Sequence, residues 1–203
     1  MATLTPEALP VHKATIVPRG QSLGMVMQLP DADETSWSRA QMLAKMDVCM
    51  GGRVAEEIIY GADNVTSGAS SDFEQATQIA ISMVERWGMS EKIGLVSHKN
   101  LTAKGGEAQV SQHTRAAVDS EVKRLTSQAY ENARTILTQH QDKLHLIAQE
   151  LIKEETLTGD QVRELIGAKP LKKRNSQSTS RAQGGAPTPA DAPAPKPRKS
   201  WFS

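Results

Sequence analysis

Asp47-Val-Cys-Met-Gly-Gly-Arg-Val-Ala-Glu-Glu57 is the stretch on which the fold turns. It lies inside a helical pattern running from about Trp37 to Tyr60, with Trp37, Ala40, Ala44, Val48, Gly51, Val54 and Ile58 along one stripe. Gly61 supplies the stop. Two consecutive glycines within a helix cost roughly 1 kcal/mol each relative to alanine. A helix keeps them where another backbone comes close, so Gly51 and Gly52 predict a packing surface for a further helix.

Upstream, residues 11–17 alternate polar and apolar and are rich in β-branched side chains, which predicts a strand. Pro18-Arg-Gly-Gln-Ser22 is a turn signal, Leu23–Leu29 a second strand, and Asp31–Thr35 a polar connection. Downstream, Ser71-Asp-Phe-Glu74 has capping-box spacing and opens a second helix. Its apolar stripe runs through Phe73, Ala76, Ala80, Met83, Val84 and Trp87 to a stop at Gly88. The stretch His98–Gly106 reads as a loop.

A long helix follows from about Gln109 to Thr138, burying Val110, Thr114, Val118, Val122, Leu125, Ala129, Ala133 and Ile136. The next, Gln141–Glu154, buries Leu144, Ile147, Ala148 and Leu151, and Thr158-Gly-Asp-Gln161 caps a short last helix ending at Gly167. The expected fold is mainly α, with a small β-hairpin near the N-terminus. Residues 1–169 form the folded domain, and 170–203 a disordered basic tail rich in Pro, Ala and Ser.

The composition narrows the function classes. Apolar residues are 38% of the 203 and aromatics only 3%, which argues against an aromatic platform for nucleic acid. The net charge of +1 is unevenly spread: residues 170–203 carry seven Lys or Arg against one Asp, a net of +6, leaving −5 for residues 1–169. The tail's basic clusters, Lys172-Lys-Arg174 and Lys196-Pro-Arg-Lys199, are short and diluted by neutral residues, so a solvated tail is expected and no nucleic-acid partner. Cys49 is the single cysteine and reads as a small buried residue, since no activating partner is nominated for a catalytic thiol. No apolar run reaches the ~18 to 20 residues that span a bilayer, and the first twenty residues have the features of neither a secretory signal nor a transit peptide.

Three segments together carry a resemblance: Val11-His-Lys-Ala-Thr-Ile-Val-Pro-Arg-Gly20, Gly51-Gly-Arg-Val-Ala-Glu-Glu57 and Thr66-Ser-Gly-Ala-Ser-Ser-Asp72. In combination they resemble the proteolytic domain of FtsH-type AAA+ zinc metalloproteases over roughly residues 8–166. Pro10–Gly20 and Asp47–Gly52 look most like the mitochondrial members. The resemblance implies a helical zinc-endopeptidase domain beneath a hexameric ATPase ring that unfolds protein substrates. It also implies a mitochondrial inner-membrane setting, with the chloroplast as alternative. The family's His-Glu-x-x-His helix lies immediately upstream of this region, whereas this sequence opens with Met1–Pro10. The expectation is the C-terminal part of a longer protease, inactive by itself, with ATP used only through a motor domain this sequence does not contain. The alternative is a non-catalytic subunit that docks into such a hexamer.

The residues agree with that expectation. A zincin site needs two His one helical turn apart, with a Glu beside the first as general base. His12, His98, His113, His140 and His145 contain no such pair. His140 and His145 fall roughly 140° apart around a helix. In the family the third ligand is an Asp that follows a Ser/Thr-Gly-Ala-Ser run, and Ser67-Gly-Ala-Ser-Ser-Asp72 carries that role to Asp72. Read without the resemblance, Asp72 in a first helical turn stabilises the helix start. Glu56 and Glu57 diverge by roughly 100° and cannot share one small site, so an ion pair with Arg53 or a solvated face is expected. Leu23–Leu29 offers either an edge for an extended substrate or an ordinary packed strand.

Overall fold

The computed structural model describes residues 1–20, 23–29, 36–97 and 111–168. The expected loop at His98–Gly106, the Asp31–Thr35 connection and the tail from Pro170 lie outside the described residues.

Strand β1, Val11–Thr15, pairs antiparallel with β2, Met25–Gln28, as the hairpin reading requires. The pairing sets Val11 against Gln28 and Thr15 against Met25, with a register irregularity between Val11 and Lys13. Helix α1 then runs from Arg39 to Tyr60. Its N-terminus is a capping box built from Ser38 and Gln41, and Gly61 ends it at φ +81°, a left-handed conformation suited to glycine. Short 3-10 turns at Ala62–Asn64 and Ser67–Ala69 lead into α2, Ser70–Glu85. The remaining elements are α3, Gln112–Gln139, α4, Gln141–Glu154, strand β3, Thr156–Thr158, and α5, Gly159–Leu165.

The core lies where α1, α2 and α3 meet. Met46, Val54, Met83 and Val84 are the largest wholly enclosed side chains there, joined by Ala76, Ala80 and Ala133. Small alanines on α2 and α3 let the long methionines of α1 fill the space between the helices. The stripe read from the sequence is thus narrower than the surface buried. Ala44, Gly51 and Val54 are buried as expected, whereas Trp37, Val48 and Ile58 are half-buried and Ala40 is exposed. Trp87 lies beyond the end of α2 and is 48% exposed, so it does not continue that helix's buried face. On α3, Leu137 takes the buried position assigned to Ile136, and Glu121 joins the buried face.

Three further corrections concern local chemistry. The expected Ser71–Glu74 capping box is not formed: α2 starts one residue earlier, its N-cap is Ala69, and no side chain caps it. The preceding 3-10 turn consumes the residues that would have made room for a Ser71 cap. The sheet has three strands in the order β2-β1-β3, not two. Strand β3 is only Thr-Leu-Thr, and it pairs with residues some 140 positions away, where Thr15 and Thr156 share a 2.8 Å hydroxyl contact. The last correction is at α4, where no residue is buried: Leu144, Ile147 and Leu151 are half-buried and Ala148 is exposed. By contrast, the Thr158–Gln161 capping box of α5 forms as read.

A buried acid sits between α1 and α3. Asp47 accepts the Asn132 amide at 3.2 Å on both carboxylate oxygens. Burial pushes its carboxyl up to about 6, against the opposing pull of Asn132. Because the folded-state value is raised, this group favours folding at low pH. Its contribution is lost as pH rises from the ordinary carboxylate range through about 6. Asp47→Asn should therefore be more stable than the native chain at about pH 8, by about 2 kcal/mol, with the difference shrinking near pH 4. Urea denaturation at the two pH values measures it.

Gly159 and Gly51 make opposite predictions. A Cβ on Gly159 would run into the carbonyl oxygen of Val11, fixed backbone of β1, while one on Gly51 would meet only the flexible side chain of Met1. Gly159→Ala should cost about 3 kcal/mol or more in denaturant unfolding, and Gly51→Ala about 1 kcal/mol or less.

Candidate functional site

The bare patch of α1 borders a hollow of about 470 Å³. Val48, Gly51, Gly52 and Ala55 form its floor, and Leu144, Ile147 and Leu151 of α4 face it from the other side. This hollow is why the apolar side of α4 is only half covered. The Met1 side chain reaches its rim at Gly51, with Cγ 2.6 Å from where a Cβ would stand. The Met1 amine is buried there, and burial lowers its proton affinity. Among the described residues, then, it is a methionine side chain and not a helix backbone that approaches Gly51.

Asp72 also opens onto the hollow, from the first turn of α2. Its Oδ2 lies 3.7 Å from where a Cβ on Gly52 would stand, an ordinary van der Waals separation that sets the carboxylate beside the Gly52 backbone. Among the described residues no hydrogen-bond donor is seated on that carboxylate. Burial raises its carboxyl above the usual range, with Lys45 opposing. An unneutralised carboxylate at the edge of an apolar hollow gains from meeting a cation.

Asp72 is placed from α1. The Glu56 carboxylate accepts the Thr66 backbone N–H at 2.7 Å and the Thr66 hydroxyl at 2.9 Å. Thr66 Oγ1 in turn accepts the Gly68 N–H at 3.1 Å. These bonds fix the turn Ser67–Ala69 from which α2 departs, and they stand in for the cap that α2 lacks. They also hold the Glu56 carboxyl below its usual range, the Thr66 N–H contributing most. Glu57 points elsewhere: Arg53 Nε donates to it at 2.6 Å and the Tyr130 hydroxyl also donates, tying α1 to α3. The two glutamates diverge as the helix geometry demands, and the expected Arg53 pair belongs to Glu57. Sequence reasoning missed Glu56 as a clamp, because nothing local marks a carboxylate that reaches ten residues along the chain.

The other candidates are not brought together. His12 is exposed on β1, His113 on α3 and His145 on α4, while His140 is half-buried between α3 and α4 at the border of the hollow. His98 lies outside the described residues. Cys49 is buried and its thiol donates to Gln75 Oε1 at 3.1 Å. Burial pushes that thiol up to about 11, so it is no thiolate. Among the described residues no group of three or more His, Cys, Asp or Glu could hold a metal ion. The described residues therefore do not by themselves fit a zinc ion.

The model of peptidase family M41 matches residues 1–165. The chain belongs to that family. Among M41 relatives, an ATP-dependent zinc metalloprotease FtsH of Rickettsia prowazekii is 48% identical over 170 residues, covering 82% of this chain and 27% of the relative. The ATP-dependent zinc metalloprotease FTSH 11, chloroplastic/mitochondrial, of Arabidopsis thaliana is 48% identical over 166 residues, covering 82% and 20%. A relative of Caulobacter vibrioides, again an ATP-dependent zinc metalloprotease FtsH, is 45% identical over 185 residues, covering 88% and 30%. This M41 chain thus spans between a fifth and a third of the length of these relatives, and it is as similar to bacterial as to organellar ones. Among the described residues no helix is long and apolar enough to cross a membrane.

The clamp yields a test. Glu56→Ala should speed hydrogen exchange at the Thr66 amide by roughly tenfold or more, while amides in the middle of α3 keep their protection.

Proposed function

We propose that this chain is the C-terminal part of the zinc-endopeptidase domain of an ATP-dependent, membrane-associated protease, and that Asp72 is one ligand of its zinc. The observation that carries the reading is the Asp72 carboxylate, without a donor among the described residues, standing beside Gly52 at the edge of an apolar hollow. Two imidazoles and a general-base carboxylate are still required, and a helix carrying His-Glu-x-x-His is proposed to bring them. Its apolar side would fill the hollow against Gly51, Gly52 and α4. Asp72 and the two imidazoles would hold the zinc, which would supply a Lewis acid for a peptide carbonyl and a bound water molecule. The 203-residue chain alone is proposed not to cleave peptides.

Strand β2 is proposed as the docking edge for the substrate backbone. It lies at one edge of the sheet, and its apolar side chains stay exposed, Val26 by 61% and Met27 by 40%. The partners proposed are unfolded protein substrates and other FtsH-type subunits in a hexamer, with ATP consumed in a motor domain. The setting proposed is mitochondrial, at the inner membrane, or else chloroplast; the names of the plant relatives support an organelle of either kind. A domain of residues 1–169 followed by a tail of residues 170–203 is proposed, and the family match over residues 1–165 supports the first of these.

Casein degradation by the ATP-fuelled protease that contains this segment tests the reading. Asp72→Asn should lower proteolysis by roughly a hundredfold or more, since loss of a ligand outweighs loss of its supporting partners, while ATP hydrolysis continues. Retained proteolysis in that variant would overturn the assignment.

A further inference from the structure

The hollow holds a cation that the proposed chemistry does not use. Lys45 leaves α1 beside the hollow, and its Nζ donates to Gln28 Oε1 of β2 at 3.0 Å. Gln28 is itself anchored, its amide donating to the Leu9 carbonyl at 2.9 Å. Among the described residues no carboxylate lies within 4.0 Å of the Lys45 ammonium, which is half-buried and hydrogen-bonded to a neutral amide, with the Asp72 carboxylate acting on it only from farther away.

We infer that Lys45 is a specificity-determining residue, selecting substrate segments with an acidic side chain at the position that docks beside Gln28. The inference rests on β2 being the docking edge. Side chains of a strand alternate between faces, so Val26 and Gln28 share one face, and both of these residues border the hollow. A peptide added to β2 continues that alternation. Its residue opposite Gln28 projects to the same side, with Cβ atoms about 5 Å apart. A Glu or Asp there comes within reach of the Lys45 ammonium and takes the place of the Gln28 oxygen. The exchange replaces an ion–dipole contact with an ion pair at a site partly withdrawn from water, where charge pairs count for more than on the open surface. Lys143 also borders the hollow, but it stands on α4 and is not tied to the strand. Lys45 is the cation whose position the docking edge itself fixes.

Fluorescence anisotropy on the 203-residue chain supplies the test. The probes are labelled heptapeptides of β-branched residues, each carrying either Glu or Gln at one position scanned along the peptide. At one position Glu should bind roughly three- to fivefold tighter than Gln, and the difference should shrink with added salt. Lys45→Met should abolish that preference, Lys45→Arg keep it, and Lys45→Glu reverse it in favour of a Lys-bearing peptide. Val26→Pro, which disturbs the edge, should weaken every peptide alike. If Val26→Pro weakens binding but the preference survives in Lys45→Met, the Lys45 inference falls and the docking edge stands. Peptides that fail to bind, or bind without regard to Val26→Pro, overturn the docking edge and the inference with it.

Discussion

Met46 and Val54 of α1 are wholly enclosed by α2 and α3, yet between them Gly51 and Gly52 present backbone without side chains. A single helix is therefore asked to seal a core on one face and leave an adjoining face bare. The glycines weaken the helix by roughly 1 kcal/mol each. The cost is tolerable because burial of the methionine-rich face holds α1 in place. The hollow and the half-covered α4 follow from that one division of surface, and the Asp72 carboxylate borders the same hollow.

The arrangement ties the site to the scaffold through few but directed contacts. Glu56 fixes the turn before α2, Glu57 binds α1 to α3 through Tyr130, and Lys45 links α1 to β2 through Gln28. These three side chains leave the same helix within about three turns, each toward a different neighbour. Helix α1 is in this sense the frame that sets the start of α2, the edge strand and the long helix relative to one another.

Much of this was legible in the sequence. The long helices show in the spacing of Val118, Leu125, Ala129 and Ala133, and the hairpin in the alternation of residues 11–17. The family showed in Gly51–Glu57 and Thr66–Asp72. What stayed hidden depends on distance along the chain. Strand β3 is three residues long and owes its existence to β1, so no local pattern announces it. The start of α2 was misplaced because the Ser71–Glu74 spacing is locally sufficient, while the true determinant is Glu56 on another helix. Helix α4 has the periodicity of a buried helix, but the surface it should cover faces the hollow. Of the residues that border the hollow, the sequence marked Gly51, Gly52 and Asp72. Lys45 and Glu56 carry no motif of their own and acquire meaning only from what they touch.

We propose that Asp72 is one donor of a zinc site completed by a helix seated in the hollow. Calorimetric zinc titration of this chain, extended before Met1 by a helix carrying His-Glu-x-x-His, tests it most directly. The account predicts one tightly held zinc per extended chain, and affinity reduced by roughly a hundredfold or more in Asp72→Asn. Equal zinc affinity in the native and Asp72→Asn forms, or one zinc held tightly by the chain without the added helix, would contradict it.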